Sequence, residues 1–143
     1  IQDVGTRFYT YLTTLHYVMQ ACADNNKPLI VLDRPNPNGF YVDGPLLQPQ
    51  LKSMVGVHPI PIVHGMTLGE LAKMINAEGW LKDSIQPKRK ACKLTVIPCS
   101  HYTHNRSYQL PVPPSPNLPT QNAIYLYPTF MIPLSSSRVV LTW

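Results

Sequence analysis

The chain has 143 residues, 44% of them hydrophobic and 13% charged, which is enough for one domain with an apolar core and excludes disorder along its whole length. The formal charge of +5 is spread out, and its one basic cluster (Lys88-Arg89-Lys90, with Lys82 and Lys93 nearby) has no interleaved aromatic residue and matches no nucleic-acid-binding signature. That cluster is read as a solvated loop, no nucleic acid is expected as a partner, and no stretch is long and apolar enough to span a membrane as a helix.

In chain order, Asp3 and Gly5 read as the end of a strand and its turn. Apolar residues then fall at Phe8, Leu12, Leu15, Met19 and Cys22, spaced four, three, four and three, which predicts an amphipathic helix over residues 8–24. A short apolar run at 28–33, Pro-Leu-Ile-Val-Leu-Asp, predicts a buried strand. Strand end, helix and strand in that order are the βαβ pattern of a parallel sheet. No Gly-x-Gly-x-x-Gly follows either strand end, so no dinucleotide cofactor is expected.

The strand stops at Asp33 because Pro35 and Pro37 bias the residues before them out of the helical region. The loop that follows holds Asp33, Arg34, Asn36, Asn38 and Asp43 in eleven residues restrained by proline. At the carboxyl end of a parallel strand such a loop lies where open α/β sheets bind ligands. A proline-rich turn whose Asp and Asn cap their own backbone is the competing reading.

Residues 46–63 form a long connection, and the alternate prolines of Val57-His-Pro-Ile-Pro-Ile-Val63 confine that patch to an edge or an extended loop. Thr67 and Glu70 spell a capping box, so a helix is predicted over 67–77 with Leu68, Leu71, Met74 and Ile75 on its apolar stripe. Leu94-Thr-Val-Ile97 reads as a second buried strand. Cys22, Cys92 and Cys99 make no disulfide framework; the seven extended residue steps from Cys92 to Cys99 span roughly 23 Å, beyond disulfide reach. Cys99, His101 and His104 have a zinc-like spacing but no fourth ligand, so no metal is expected. Five prolines between Pro111 and Pro119 exclude helix and central strand there, and Asn122–Tyr127 is read as a short strand.

Several blocks in order carry a family likeness: Gln2-Asp3-x-Gly5-x-Arg7-Phe8-Tyr9-Thr10-Tyr11, Val31-Leu-Asp-Arg-Pro-Asn-Pro-Asn38, Gly44-Pro45, and Pro59-Ile-Pro61. His64-Gly-Met-Thr67-x-Gly-Glu-Leu-Ala72, Pro114-Ser-Pro-Asn-x-Pro-Thr120 and Tyr127-Pro128 continue it. Together these resemble the NamZ-type exo-β-N-acetylmuramidases. The resemblance implies an α/β fold: part of a Rossmann-like subdomain with a parallel sheet over 1–100, then a proline-rich connection and the truncated start of a smaller α+β subdomain over 101–143. It implies a glycoside hydrolase that releases N-acetylmuramic acid from non-reducing ends of peptidoglycan fragments, outside the cytoplasm, in an extracellular or periplasmic setting, with no cofactor. It implies an active site in the cleft between the two subdomains and a peptidoglycan-derived saccharide as partner.

The family's Glu-His-Gly motif, with its proposed catalytic glutamate, is absent here, and residues 129–143 lack the glycine-rich block that follows Tyr-Pro in the family. The chain is therefore expected to be a central portion of a longer enzyme, inactive on its own. The alternative is a non-enzymatic saccharide-binding or vestigial module. Among the seven carboxylates, Asp3 and Asp33 fall at predicted strand ends and are the catalytic candidates, although both are read as substrate-binding or supporting groups before catalytic ones. Muramic acid carries a lactyl carboxylate, which suits a guanidinium, so Arg7 and Arg34 are substrate-binding candidates with His64 third. Arg7 could equally pin the turn through Asp3. Asn36 and Asn38 complete the set as partners for sugar hydroxyls or an acetamido group. Tyr9 and Tyr11 are expected on opposite sides of a helix start.

Overall fold

In the computed structural model, residues 1–82 and 89–131 are described. The elements are α1 (Tyr11–Asp24), β1 (Pro28–Leu32), α2 (Leu68–Ala77), β2 (Leu81–Lys82), β3 (Arg89–Lys90), β4 (Lys93–Ile97) and α3 (Gln121–Leu126), with 3-10 turns at Pro49–Leu51 and Tyr127–Met131. β1 and β4 pair in parallel, with Pro28 opposite Lys93 and Leu32 opposite Ile97. The predicted parallel pair is thus observed; β1 follows α1, and β4 follows α2 with the short strands β2 and β3 between them.

Both long helices end in the same way. Beyond α1, Asn26 takes a left-handed φ of 52° and Lys27 donates to the carbonyl of Cys22 at 2.8 Å. Beyond α2, Gly79 has φ 63° and Trp80 donates to Ile75 at 3.0 Å. These are Schellman closures, which satisfy the last carbonyls and turn the chain back toward the sheet. At its other end α2 carries the predicted capping box: Thr67 accepts from the Glu70 backbone, and the Glu70 side chain accepts from the Thr67 backbone.

The core lies where α1 and α2 meet the inner face of the strand pair. Leu12, Leu15 and Met19 of α1 pack with Leu71, Ala72 and Ile75 of α2, joined by Ile60, Leu68, Leu81 and Cys92. Leu29 and Val31 of β1 lean on this cluster. Ile30 and Leu32 point the other way and are 63% and 73% exposed. A second, smaller cluster joins Val4 to Leu110, Leu118 and Ile124, which brings residues 108–127 back against the start of the chain.

Some expectations are corrected. α1 begins at Tyr11 rather than at residue 8; Phe8 and Tyr9 lie in the turn before it, so helical spacing does not govern them. Tyr9 and Tyr11 accordingly do not diverge but meet edge to face, with centroids 5.0 Å apart. Residues 1–5 form no strand among the described residues, although the turn is real: Gly5 has φ 81° and its N–H donates to Asp3 Oδ2 at 2.8 Å. Met74 is 37% exposed, off the buried stripe of α2.

The expected strand at 122–127 is a helix over Gln121–Leu126, because the Thr120 hydroxyl caps it by accepting from Ala123 N–H. The basic segment read as a solvated loop is in part a strand, since Arg89–Lys90 pairs antiparallel with Leu81–Lys82; Lys88 and Asp83 lie outside the described residues. The divergent segment 129–143 is described only to residue 131.

Asn36 and Asn38 are buried, 2% and 0% exposed. Asn36 Nδ2 donates to Met66 O at 2.8 Å, and its Oδ1 accepts from Asn38 N at 2.9 Å. Asn38 Nδ2 donates to Val4 O at 2.8 Å and Ile124 O at 3.1 Å, tying both ends of the second cluster to the loop after β1. Replacing Asn38 with Ala leaves two buried carbonyls without that donor, and urea unfolding is expected to show a loss of about 2 kcal/mol. A loss below about 0.5 kcal/mol would show that the side chain is dispensable.

Candidate functional site at the carboxyl edge of the strand pair

Where β1 ends, Asp33 N–H still pairs with Ile97 O at 3.0 Å, and its carboxylate turns toward the N-terminus of α2. Oδ2 accepts from Thr67 Oγ1 at 2.6 Å, and Oδ1 from Gly69 N at 2.8 Å and Arg34 N at 2.9 Å. The anion thus sits at the positive end of α2 and fastens it to the strand. Around it is a cavity of about 180 Å³ lined by Asp33, Thr67, Glu70, Lys73, Cys99, Tyr102 and His104, with Val96 and Pro98. Next to it lies an open groove of about 600 Å³ lined by Phe40, Tyr41, Val42, His64, Met66, Glu70 and His104, with Gly39 and Gly65. Glu70 and His104 line both and form the partition between them.

That pair joins a carboxylate and an imidazole at the edge. His104 Nε2 lies 2.9 Å from Glu70 Oε1, and Nδ1 lies 3.1 Å from the Gly39 carbonyl. Both ring nitrogens face acceptors, an arrangement that favours the doubly protonated ring. The Glu70 hydrogen bond raises the His104 pKa, against partial burial. On Glu70, burial pushes upward, but the bonds from His104 and Thr67 outweigh it and hold the carboxyl below its ordinary value. Both side chains are over two-fifths exposed, open to a ligand in the groove. An ionised Glu70 accepts hydrogen bonds and is not set up as a proton donor, which would need a raised pKa. Tyr102 donates to the Asn36 carbonyl at 3.0 Å and closes the edge.

Asp3 and His64 make a second, buried pair behind the groove. His64 Nδ1 accepts from Met66 N–H at 3.2 Å, which leaves Nε2 as the protonated nitrogen. Nε2 stands 3.2 Å from Asp3 Oδ2, off the line of a good hydrogen bond, so the contact is electrostatic. Asp3 Oδ1 is buried with no hydrogen-bond partner. Tyr9 lies nearby; burial first, then Tyr11 and Asp3, push its pKa up to about 12, and the hydroxyl donates to Pro114 O at 3.3 Å.

The residues singled out from the sequence do not share one concavity. Asp33 lines the small cavity and His64 the open groove. Arg34 lies on a different side, donating to Gln2 Oε1 at 2.6 Å beside an apolar hollow that includes Ile1, Leu15 and Leu29. Arg7 makes no bridge to Asp3; it lines a separate cleft and bonds the carbonyls of Pro45 and Ile60. Asn36 and Asn38 spend their amides on the backbone. Lys73 and Tyr102 are not among the candidates, and Glu70 reads as a helix cap ahead of a catalytic role, apart from His104. The sequence signal for His104, the spacing Cys99-x-His101-x-x-His104, reads as a metal spacing, whereas its partner is thirty-four residues upstream. Among the described residues no group of three or more His, Cys, Asp or Glu could hold a metal ion.

Comparison with known proteins places this geometry. A crystal structure of a DUF1343 family protein from Bacteroides fragilis superposes with a TM-score of 0.83 at 60% identity, covering 90% of this chain and 35% of that one. A second DUF1343 protein from the same organism gives 0.79 at 37% identity, over 89% of this chain and 33% of that one. These neighbours support the Rossmann-like α/β assignment. The peptidoglycan β-N-acetylmuramidase NamZ of Bacillus subtilis strain 168 is 45% identical over 133 residues, which is 90% of this chain and 30% of that protein. The chain therefore spans about a third of the length of these relatives. The family profile described as "Exo-beta-N-acetylmuramidase NamZ, N-terminal" matches residues 1–122, and the chain belongs to that family.

Proposed function

We propose that this chain is part of a peptidoglycan glycoside hydrolase that removes N-acetylmuramic acid from non-reducing ends of cell-wall fragments, acting outside the cytoplasm. The observation that carries the reading is the family match over residues 1–122, to a profile named for that activity. The half-exposed Glu70–His104 pair in an open groove at the carboxyl edge is consistent with it, since the Glu70 carboxylate keeps lone pairs that can accept from sugar hydroxyls while His104 holds it in place. In the same reading residues 1–100 belong to the Rossmann-like subdomain, and the segment from 101 leads into a second one that forms the opposite wall of the cleft.

The 143 residues contain no Glu-His pair, so the glutamate proposed for the family's chemistry is not among them. General acid catalysis alone is commonly worth roughly two to four powers of ten, and an open cleft admits water. No turnover of a chromogenic muramic acid glycoside is therefore expected from the chain alone, and turnover is expected from a version extended to the length of its relatives. Robust hydrolysis by the 143 residues would overturn the division of labour and direct attention to Asp3 and Asp33. A second reading, saccharide binding without turnover, is favoured by the depressed Glu70, which is already ion-paired. It predicts saccharide binding by the extended protein with no product.

A further inference from the structure

Arg7 is a cation without a counter-ion. It is half-buried, and both hydrogens of Nη1 go to backbone carbonyls, Pro45 at 2.9 Å and Ile60. Among the described residues no carboxylate pairs with it, and neither Nε nor Nη2 has a partner. Burial lowers its pKa with no opposing anion. Desolvating a charge without pairing it is costly, so an arrangement of this kind favours an anion that completes it.

The cleft that Arg7 lines has a volume of about 390 Å³ and is walled largely by Phe8, Leu46, Leu51, Val55 and Ile62. Gly56 stands across from the free edge: a Cβ placed on it would lie 3.7 Å from Arg7 Nε. Nε and Nη2 form the side of a guanidinium that takes a carboxylate through two parallel hydrogen bonds. The geometry points to a binding site for a carboxylate carried on a short apolar arm, with the two oxygens on Nε and Nη2 of Arg7 and the arm against Leu46, Leu51 and Val55. Two components of the cell wall present that chemistry, the lactyl ether of a free muramic acid residue and the carboxyl terminus of a short alanyl peptide. The two sources rest on the cell-wall reading above, whereas the carboxylate chemistry rests on Arg7 alone; neither Glu70 nor His104 lines this cleft.

The test is a titration of the isotope-labelled chain, followed by amide shifts, with N-acetylmuramic acid, N-acetylglucosamine, N-acetyl-D-alanyl-D-alanine and the methyl esters of the two acids. At least one acid is expected to move the amides of Ser53, Val55 and Gly56 and to bind at least tenfold more tightly than its ester; N-acetylglucosamine should leave them unmoved. A response to the sugar acid alone assigns the site to the lactyl group, and a response to the peptide alone assigns it to a peptide terminus. Arg7→Lys should lose most of the preference for acid over ester. Because Arg7 also ties down two loop carbonyls, Gly56→Val gives the independent check. Its nearest contact would be Leu47 Cδ2, 3.3 Å from the added Cβ, and Gly56 has no positive φ, so the chain should fold while the cleft narrows and tenfold or more of the affinity is lost. Esters that bind as well as acids, or a Gly56→Val chain that folds and binds unchanged, would overturn the proposal.

Discussion

Stability of the chain is expected to fall as the pH drops from 7 toward 4, and His58→Phe is expected to flatten that fall. His58 is 2% exposed, stacked on Trp80 at a centroid distance of 4.6 Å and in edge contact with His16 at 4.8 Å. Its Nε2 is buried with no hydrogen-bond partner. Burial, then the neighbouring His16 and Lys52, pull its pKa down to about 3 from an ordinary 6.5. The folded state therefore keeps the ring neutral while the unfolded chain takes up a proton below about 6.5, so stability is full above that value and is lost as the pH falls toward 3. At pH 5 the loss from this one group is about 2 kcal/mol. His16, lowered by burial and by Lys52, acts in the same direction. His104 acts in the opposite one, since its raised pKa contributes stability at low pH that is lost as the pH rises; being 42% exposed, it is screened and contributes little. Urea midpoints at pH 7, 6, 5 and 4 check this directly. Phe keeps the stack on Trp80 and removes the proton, so an unchanged slope in that variant would mean that the acid sensitivity lies elsewhere.

Gly69→Ala is expected to weaken the fold and disturb the carboxyl edge together. A Cβ on Gly69 would lie 2.6 Å from Asp33 Cγ, from Asp33 Oδ2 and from Val96 Cγ1. None of these can retreat easily, because Asp33 is held by Thr67 and by the Gly69 N–H itself, and Val96 is in the paired strand β4. In an open helix the replacement would gain about 1 kcal/mol in propensity. Overpacking of this kind costs about 3 kcal/mol, so a net loss of about 2 kcal/mol is expected by urea unfolding. The helix must then lift from the strand end, and the Thr67–Asp33 bond should open, visible as a shift of the Thr67 and Glu70 amide resonances. A chain made more stable by the alanine would show that α2 slides freely over the sheet edge.

These two residues mark what the sequence could and could not disclose. The helices over 11–24 and 68–77 and the parallel strands were legible because each has a local cause: an apolar stripe, a capping box, a short run stopped by proline. The helix at 121–126 was not, because Ile124 and Tyr125 suit a strand as well, and the Thr120 cap decides between them only once the chain around it is placed. The site suffered more. Asp33 was rightly placed at a strand end, yet its oxygens are taken by α2, and the asparagines of the next loop turned inward to hold backbone. The pair that does face the groove joins residues 70 and 104, and no spacing rule connects them. His58 gave no signal at all, since its burial comes from Trp80 and His16, neighbours in space contributed by different elements.

The strand pair also sets a timetable. Lys93, the partner of Pro28, comes about 65 residues later in the chain. At roughly 5–20 residues per second, synthesis leaves β1 without its partner for several seconds. Closing so long a loop is slow in refolding as well, because the entropy is lost before the contacts form. Throughout that interval Leu-Ile-Val-Leu is a bare apolar strand, and even in the finished pair Ile30 and Leu32 remain open to solvent. Such a segment nucleates association between chains. It is bounded by Lys27 and Pro28 on one side and by Asp33, Arg34 and Pro35 on the other, charges and prolines of the kind that break up intermolecular ladders. The prolines and charges beside β1 are thus expected to limit pairing between nascent copies of the chain until β4 has emerged.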